Sequence, residues 1–568
     1  MRINSIVLSV LIALSYSGLL YAEPPAFNPV TTERLLEGTD NTDGWTMYGG
    51  NYGNWRYSPL DDINKRNVDK LTPVWIFQTG IVGQLSASPL VVDGVMYMSA
   101  PYNNLWALDA KTGTALWHFE HDMPSDLIIC CGPANRGVAI KGDLLFMATL
   151  DAKVLAIDRA TGEVRWTVQM EDYKKGYSAT SAPLIVGNTV ISGIAGGEYG
   201  ARGFIDAYDT ATGKKLWRRY TVPVAGEPGV ETWEGDSWKT GGGPSWSTGT
   251  YDPQTNLIYW PTGNPSPDWN GDVRLGDNLY TNSVLALDPE TGEMKWYFQF
   301  TPHDMWDYDA TNGLIVADVE VDGKTVRALM QPNRNGYVYT LDATTGAFIK
   351  GFQYTDRLNW SKGLDAKGRP QVDEKYTPRI GGAEGFICPG NVGGNNGAWT
   401  YAWSQSTQLM YVPSVESCGK MVKEHMTFMQ GVPFWGGGPG ETEGQVGDAY
   451  GTVTAVDPVT GIIRWSYKND YPIMSGALAT GGGLVFSGDQ EGHAFALDDL
   501  TGEVLWKFQI GASIRSQPIT WKADGQQFVA IPSGGGGIVG SIVGAPELIT
   551  NGSAVVVFAV PKSKWFWE

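Results

Sequence analysis

Histidine and cysteine are scarce in this chain, which has five histidines and four cysteines among 568 residues. The histidines show no paired spacing, which argues against a zinc site. No Cys-x-x-Cys-His segment occurs, which argues against covalently attached haem. Beyond the first two dozen residues, no segment approaches the roughly 18 consecutive apolar residues of a membrane span. We therefore expect no stable membrane insertion of the mature chain.

Basic residues are also in the minority. The chain has 41 Lys and Arg against 60 Asp and Glu, a formal net charge of −19. Nucleic-acid-binding proteins present basic surfaces, so this balance argues against a nucleic-acid partner. Solubility is the default explanation of the acidity, and a cationic partner is the alternative.

The amino terminus has the layout of a cleavable export signal. Arg2 precedes an apolar stretch from Ile6 to Leu20, and Ala22 offers a small residue for cleavage. We predict a signal peptide over residues 1–22 and a single mature domain over 23–568, soluble in the periplasm. An uncleaved membrane anchor is the alternative interpretation of this segment.

Glycine and tryptophan are abundant, with 73 and 23 copies, and many of them belong to a repeat. The repeat is Asp-x-x-Thr-Gly with a Trp eight residues after the Asp. Its six copies are Asp109/Trp117, Asp158/Trp166, Asp209/Trp217, Asp288/Trp296, Asp457/Trp465 and Asp498/Trp506. A seventh copy, at Asp342, has Lys350 in place of the Trp, and Asp252 to Trp260 keeps the spacing without the Thr-Gly.

Each repeat has the local chemistry of a β-hairpin. The Asp carboxylate can cap the amides of the turn, and the Gly supplies the positive φ at which the chain reverses. The Trp would end the next strand, where its ring can bury against a neighbouring sheet. Because most repeats are spaced at the length of a four-stranded blade, they predict an all-β propeller, closed into a ring without exposed sheet edges.

The four cysteines allow three disulfide connectivities in an exported protein. We favour Cys130 with Cys131 and Cys388 with Cys418, because strained bridges between adjacent cysteines recur at active sites. Crossed pairing or free thiols are the alternatives.

Short motifs in order along nearly the whole mature chain resemble those of PQQ-dependent methanol and ethanol dehydrogenases, in particular the lanthanide type. The motifs are Cys130-Cys131-Gly-Pro-Ala-Asn135-Arg136-Gly137, Thr180-Ser-Ala-Pro183, Gly196-Gly197-Glu198, Gly243-Pro-Ser-Trp246, Thr262-Gly263-Asn264-Pro265, Thr301 to Asp309 and Arg334-Asn335-Gly336. The resemblance implies an eight-bladed propeller that holds pyrroloquinoline quinone (PQQ) beside a metal ion.

Carried over position by position, the resemblance implies a role for each matching residue. Asp307 would be the catalytic base, and Trp246 and the Cys130–Cys131 ring would cover the two faces of the quinone. The implied cofactor-binding residues are Cys130, Cys131, Arg136, Thr180, Gly196, Gly197, Trp246, Arg334 and Asn396. The implied metal ligands are Glu198, Asn264, Asp307 and Asp309. Flat apolar faces and arginine forks suit a planar, anionic cofactor.

The spacing of Asp307 and Asp309 bears on the metal. Residues at i and i+2 lie on one side of an extended segment, so both carboxylates would face one cation. Hard cations take oxygen ligands. In the family that the chain resembles, lanthanide-using members carry Asp at the position of Asp309 and calcium-using members a neutral residue. We predict a lanthanide ion, with Ca²⁺ as the alternative.

The implied activity is oxidation of a small primary alcohol to an aldehyde, with a soluble cytochrome c as electron acceptor and a homodimer as a possible assembly. Two alternatives remain at this point: a calcium-dependent quinoprotein acting on another alcohol or a sugar, and a non-catalytic propeller scaffold. The chain departs from the family at Ser86, where Glu or Gln often contacts the quinone, and at Met474 and Gly535, where tryptophans often do.

Overall fold

Short apolar strands separated by glycine turns dominate the chain, and they pair in antiparallel order. The computed structural model describes residues 27–395, 400–442, 449–535 and 552–562. Eight antiparallel sheets of four strands form the blades of a β-propeller, which confirms the predicted fold class. The predicted signal peptide, residues 1–22, lies outside the described residues.

Each blade consists of four strands, ordered from the first strand to the fourth. Blades 1 to 4 are Leu90–Val92, Val95–Ala100, Asn104–Asp109 and Ala115–Glu120; Ala139–Lys141, Leu144–Ala148, Lys153–Asp158 and Val164–Gln169; Leu184–Val186, Thr189–Gly193, Phe204–Asp209 and Lys215–Tyr220; Thr250–Asp252, Leu257–Pro261, Ser283–Leu287 and Met294–Gln299. Blades 5 to 8 are Ile315–Val321, Lys324–Pro332, Tyr337–Asp342 and Phe348–Gln353; Ala402–Ser404, Leu409–Glu416, Tyr450–Val456 and Ile463–Asn469; Leu478–Thr480, Leu484–Gly488, His493–Asp498 and Val504–Gln509; Ile519–Ala523, Gln526–Gly534, Ser553–Ala559 and Thr72–Gln78.

The remaining elements are short. They are the α-helix Thr32–Glu37, the 3₁₀ turns Gly38–Asp40, Val68–Lys70, Pro101–Asn103, Tyr173–Lys175, Gly197–Tyr199, Val230–Thr232, Ser237–Thr240, Gly271–Val273 and Glu374–Tyr376, the hairpin Ser361–Leu364 with Pro370–Val372, and the hairpin Gly419–Lys423 with Gly437–Thr442. Among the described residues, no helix is long and apolar enough to cross a membrane.

The ring closes through blade 8. Its three inner strands come from the carboxyl-terminal part of the chain, and its outer strand, Thr72–Gln78, comes from the amino-terminal part and pairs with Ser553–Ala559. Tyr57–Ser58 adds a short parallel strand beside Leu478–Thr480 of blade 7. The two ends of the chain are thereby joined across two neighbouring blades.

The repeated motif forms the turn between the third and fourth strands. In blade 4, Asp288 Oδ1 accepts hydrogen bonds from the Thr291 backbone N and the Thr291 hydroxyl, both at 3.0 Å. Gly292 has φ +69°. The Trp217 ring of blade 3 packs directly on this glycine, because a Cβ added to Gly292 would lie only 2.5 Å from the ring. Trp217 Nε1 also donates to Pro289 O at 3.1 Å. The tryptophan therefore packs one blade against the next, as predicted, although it is the third residue of its strand rather than the last.

Of the two imperfect copies of the motif, one is a true repeat with a replaced tryptophan and the other is not a repeat. After Lys350, which replaces the Trp, Phe352 packs against Gly461 of the following blade and takes over the contact. Asp252 and Trp260 belong to the first and second strands of blade 4, so their spacing does not mark a copy of the repeat.

The meander of each blade gives the ring two unlike faces. Turns between the third and fourth strands emerge on one face, which we call the turn face. Loops between the second and third strands, and the connections from one blade to the next, emerge on the opposite face, which we call the cavity face.

Candidate active site

One cavity opens on the cavity face, with a volume of about 940 Å³ when its mouth is included. Most of the predicted site residues line it: Cys130, Cys131, Arg136, Thr180, Gly196, Glu198, Trp246, Asp307, Asp309 and Arg334. Gly197 and Asn264 lie behind this wall, and a Cβ added to Gly197 would lie 2.9 Å from Asn264 Oδ1. Asn396 lies outside the described residues.

Two kinds of segment bring these side chains together. The connections between blades carry Cys130, Cys131, Arg136, Thr180, Trp246, Asp307 and Asp309, and the loops between second and third strands carry Glu198, Asn264 and Arg334. Both kinds of segment emerge on the cavity face. Residues far apart in the sequence therefore meet at one site.

Asp309 is held by two hydrogen bonds at the inner wall of the cavity. Its Oδ2 accepts from Trp246 Nε1 at 3.0 Å, and its Oδ1 accepts from the Asn264 backbone N at 2.7 Å. Only 4% of Asp309 is exposed. The carboxylate thus links the predicted aromatic face to a predicted metal ligand.

Asn264 is fully buried, and the nitrogen and the oxygen of its amide differ in their hydrogen bonding. Nδ2 donates to Asp268 Oδ1 at 2.7 Å and to Pro265 O at 3.3 Å. Within the described residues, Oδ1 has no hydrogen-bond partner. An unpartnered buried oxygen is costly, and a bound cation would satisfy it.

Asp307 contacts two side chains through a single oxygen. Its Oδ2 accepts from Asn391 Nδ2 at 2.9 Å and lies 3.4 Å from Arg334 Nη2. Arg334 Nη1 also lies 3.6 Å from Asp309 Oδ2, and Arg334 donates to the Asn391 carbonyl. One guanidinium therefore spans both carboxylates.

Burial raises the pKa of every predicted acidic ligand. The pKa of Glu198 rises to about 7 from the usual 4.5 because the carboxyl is desolvated, with a smaller contribution from the charge of Asp307. Desolvation also raises the pKa of Asp307, against which Arg334 and Asn391 act. The pKa of Asp309 is raised by burial first and by Asp307 second. A bound cation would favour the ionised form of all three groups.

The backbone at Asp307 is not extended, so the expectation that Asp307 and Asp309 share one side of a strand is wrong. Asp307 has φ +59°, in the left-handed region. The turn is fixed by Asp304, which accepts from the backbone N of Trp306 and of Tyr308, each at 3.0 Å. Both aspartates reach the cavity through this turn instead of through strand alternation.

The disulfides agree with the favoured pairing. Cys130 is bonded to Cys131 and Cys388 to Cys418, and no cysteine is free. The vicinal pair lies at the cavity wall, which Trp246 also lines.

Comparison with known proteins matches this chain to one family. Residues 45–356 and 448–529 match the family described as "Glucose/ethanol/alcohol dehydrogenase, beta-propeller domain" of PQQ enzymes. The quinoprotein alcohol dehydrogenase PedH of Pseudomonas putida is 40% identical, over 97% of this chain and 96% of the relative. Subunit 1 of the methanol dehydrogenase [cytochrome c] of Methylobacterium organophilum is 35% identical, over 96% of both chains. The solved structure titled "Europium-containing methanol dehydrogenase" superimposes with a TM-score of 0.87, at 33% identity, over 93% of this chain and all of the other.

The chain belongs to the PQQ-dependent quinoprotein alcohol dehydrogenase family. It is accordingly an oxidoreductase, and the non-catalytic scaffold considered from the repeats is set aside.

The basic residues of this quinoprotein fit an anionic cofactor. Arg136 is 7% exposed, and its Nη1 donates to Thr180 Oγ1 at 2.6 Å while its guanidinium lies 4.5 Å from the centre of the Trp246 ring. Burial lowers the pKa of Arg136 to about 10. Burial, followed by the charge of Arg136, lowers the pKa of Arg515, also at the cavity wall, to about 9. An anionic ligand would offset the cost of burying these cations together.

The acidic residues fit a hard cation. Among the described side chains, one set of His, Cys, Asp or Glu has its ligand atoms within 4.8 Å of one another: Cys130, Cys131 and Glu198. Its two sulfurs form the disulfide and are not thiolates, so this set is not a metal site. Glu198, Asp307 and Asp309 share the cavity at wider spacing. With Asn264 Oδ1 they make an all-oxygen donor set, which suits calcium or a lanthanide.

Residues of this region that the sequence did not identify include Gln84, Asn391 and Arg515 in the wall, and Asp268 behind it. The first three lie outside every motif, so no local signal marked them. Asp268 follows a predicted ligand by four residues, and that carboxylate was a visible signal.

Gln84 bears on one departure from the family. Ser86 does not line the cavity, whereas Gln84 does, and Gln84 Nε2 donates to Ser86 Oγ at 2.8 Å. A glutamine is therefore present at the wall two residues before the position expected from the family. Met474 is fully buried and does not line the cavity.

The hairpin inserted in blade 6, Gly419–Lys423 with Gly437–Thr442, reaches across to the acidic side of the cavity. Between its strands, the Phe434 backbone N donates to Glu198 O at 2.6 Å. The Trp435 carbonyl accepts from Trp269 N at 3.0 Å. The insertion thus holds the loops that carry Glu198 and Asn264.

Proposed function

We propose that this alcohol dehydrogenase oxidises primary alcohols to aldehydes with PQQ and a lanthanide ion bound in the cavity, Ca²⁺ being the alternative ion. One observation carries the proposal: the half-buried carboxylates of Glu198 and Asp307, the buried carboxylate of Asp309 and two buried arginines, Arg136 and Arg334, line a single cavity, with the unpartnered amide oxygen of Asn264 behind its wall in the described part of the chain. The predicted ligand set is Glu198, Asn264, Asp307 and Asp309.

In this mechanism the bound quinone supplies a two-electron acceptor and the metal ion a Lewis acid. Asp307 takes the hydroxyl proton of the alcohol. Its Oδ2 is held by Asn391 and Arg334, and among the described residues no hydrogen bond reaches its Oδ1. We therefore assign proton abstraction to Asp307 Oδ1, with Asn391 and Arg334 orienting the carboxylate.

The remaining side chains would bind and orient the cofactor. Trp246 and the Cys130–Cys131 ring would cover its two faces, and Arg136 and Arg334 would pair with its anionic rim. Close backbone approach supports the roles given to the glycines: a Cβ on Gly196, which has φ +130°, would lie 2.6 Å from the Gly176 carbonyl.

The choice of metal rests on Asp309. As a third carboxylate beside Glu198 and Asp307, Asp309 adds a negative charge to the ligand set, and this charge suits a trivalent ion better than a divalent one. The family member titled as containing europium supports the same choice.

The test is reconstitution of the purified chain with PQQ and either La³⁺ or Ca²⁺, followed by dye reduction over a panel of alcohols. We expect La³⁺ to support turnover, and Asp309→Ala to reduce that turnover at least 100-fold, the scale of one lost electrostatic contact in a closed site. Glu163→Gln, whose side chain is 71% exposed, is the control and should match the wild type. Turnover with Ca²⁺ alone, unaffected by Asp309→Ala, would establish the calcium alternative.

We further propose that a soluble cytochrome c accepts the electrons. The relative from Methylobacterium organophilum is named with that acceptor, and the net charge of −19 would attract a basic cytochrome. The rate of cytochrome reduction should then fall steeply as salt is raised, because salt screens this attraction. A rate independent of salt would favour a different acceptor.

We propose that the mature chain is a periplasmic single domain of residues 23–568, with a homodimer as its assembly. Mass spectrometry of the protein from a periplasmic extract should give an amino terminus at Glu23. Light scattering of the same sample measures the mass and tests the dimer.

A further inference from the structure

Asp268 is a buried carboxylate that lies next to the predicted ligands but outside the set implied by the family resemblance. It is 1% exposed and lies in the loop between the second and third strands of blade 4, four residues after Asn264. Its Oδ1 accepts from Asn264 Nδ2 at 2.7 Å.

This hydrogen bond fixes which end of the Asn264 amide faces the cavity side. An ionised carboxylate accepts hydrogen bonds and cannot donate them, so it selects the NH₂ end of the amide. Pro265 O, at 3.3 Å, is a second acceptor at that end. Oδ1 of Asn264 is left facing away from Asp268, buried and without a partner among the described residues.

The carboxylate of Asp268 forms no ion pair with a described residue. Arg274 is the nearest cation by its contacts, yet its Nη2 donates at 3.1 Å to the backbone carbonyl of Asp268 and not to the carboxylate. In the described ranges, no lysine, arginine or histidine forms an ion pair with this side chain. Four charged groups act on it: Asp307, Glu198 and Asp309 have the same sign as Asp268, and Arg274 alone among these four has the opposite sign. A buried anion among anions is costly unless a cation joins them.

We propose that Asp268 is a positioning residue for the metal: it aims Asn264 Oδ1 at the ion and adds a negative charge that favours a trivalent over a divalent cation. The inference rests on the proposed metal site at Glu198, Asn264, Asp307 and Asp309. It adds to that site a residue that does not itself bind the ion.

The decisive variant is Asp268→Asn, which removes the charge and keeps an oxygen that can accept from Asn264. The full chain reconstituted with PQQ is titrated with La³⁺ and with Ca²⁺ by isothermal titration calorimetry. The Coulomb energy between Asp268 and the ion is proportional to the charge of the ion. The logarithm of the fold-loss in affinity should therefore be 1.5 times as large for La³⁺ as for Ca²⁺, in the ratio 3:2 of their charges. A tenfold loss for Ca²⁺ would accompany a loss of about thirtyfold for La³⁺.

Two further variants separate orientation from charge. Asp268→Ala removes the acceptor as well, and should lower the affinity for both ions below that of Asp268→Asn. Asp272→Asn is the matched control in the same loop: its carboxylate is 55% exposed and pairs with Lys423 at 2.6 Å, so both affinities should stay within twofold of wild type.

The outcomes separate this inference from the proposed function. La³⁺ affinity unchanged in Asp268→Asn, or losses equal for the two ions, would contradict the inference and leave the metal site standing. Thermal destabilisation of Asp268→Asn without any change in ion affinity would show a purely structural role and also contradict it. Absence of La³⁺ and Ca²⁺ binding in the wild type would overturn the metal site and the inference together.

Discussion

The turn face and the cavity face of the propeller are built on opposite plans. On the turn face the same device recurs from blade to blade: an aspartate accepts from the turn, a threonine donates to it, and a glycine with positive φ lies under the tryptophan of the neighbouring blade. On the cavity face each loop occurs once. The cavity face carries Cys131 and Asp307, whose backbone φ angles are in the left-handed region, and the amide oxygen of Asn264, which has no hydrogen-bond partner within the described ranges.

The difference shows which face of the propeller stabilises the fold and which face carries groups that destabilise it. The aspartates of the repeated turns accept from the turn amides in blade after blade, so the turn face stabilises the ring through many small, similar contacts. The cavity face gathers buried like charges and unusual backbone angles, which persist because the ring over-determines them. Changes at the cavity face should therefore alter chemistry without unfolding, and changes at the turn face should do the reverse.

The largest effect is expected at the cavity face from Asp307→Asn. Loss of the general base should lower kcat for alcohol oxidation about 1,000-fold. The thermal unfolding temperature should stay the same or rise, because one of several buried like charges is removed. Dye-linked assays and thermal scans of the purified variant measure both quantities, with Glu163→Gln as control. More than a tenth of wild-type activity would contradict the assignment of Asp307 as base.

The repeats could be recognised from the sequence because their physics is local. Asp, Thr and Gly within five residues specify a turn wherever they occur, and the blades follow from the spacing. The replacement of the missing Trp at Lys350 by Phe352 was not predictable, since it depends on how blade 5 meets Gly461 of blade 6.

The site was predictable only where motifs marked it. Glu198, Trp246 and Asp309 line the cavity, and they could be named from the sequence because their motifs resemble a known family. Gln84 and Arg515 were missed, because their place in the wall follows from closure of the ring, which brings together segments more than 400 residues apart. No pattern in either segment records that contact.

The reverse effect is expected on the turn face from Trp217→Ala. The ring is 8% exposed, packs over Gly292 and donates to Pro289 O, so its removal should cost roughly 3–5 kcal/mol of stability. The apparent unfolding temperature at a fixed scan rate should fall, while kcat at 25 °C stays within twofold of wild type. Leu216→Ala, at a neighbouring side chain that is 48% exposed, should be nearly silent. Loss of activity in step with stability would contradict the separation of the two faces.

Glu416 is a buried carboxylate away from the proposed metal site, and it tests how much an ionised side chain on the cavity face lowers the stability of the fold. Glu416 ends the second strand of blade 6 and is 3% exposed. Burial first, and the charge of Asp356 second, raise its pKa to about 7 from the usual 4.5. The folded state therefore holds a proton that the unfolded state loses between these values, so the contribution of Glu416 to stability falls as the pH rises from about 4.5 through about 7.

Glu416→Gln cannot ionise, which makes this dependence measurable. The stability of the wild type relative to the variant should drop by roughly 3 kcal/mol at most between pH 4 and pH 8. Urea unfolding of both proteins at the two pH values gives the difference, and Glu293→Gln, 67% exposed, is the control. Parallel pH profiles of the wild type and Glu416→Gln would contradict the raised pKa.

The smallest effect is expected from a change in a single turn of the repeat. The same change can be made in several blades and the losses of stability compared. Asp288→Ala removes the acceptor of the Glu290 and Thr291 backbone N–H groups and should cost about 1 kcal/mol, as loss of a capping side chain does. Asp109 and Asp209 accept from their own turns in the same way, so Asp109→Ala and Asp209→Ala should cost the same within a few tenths of a kcal/mol. Unfolding of the three variants under one condition makes the comparison. Equal costs would mean that the blades share one local rule independent of their neighbours, whereas a cost concentrated at one turn would mean that this turn also supports a loop of the cavity face.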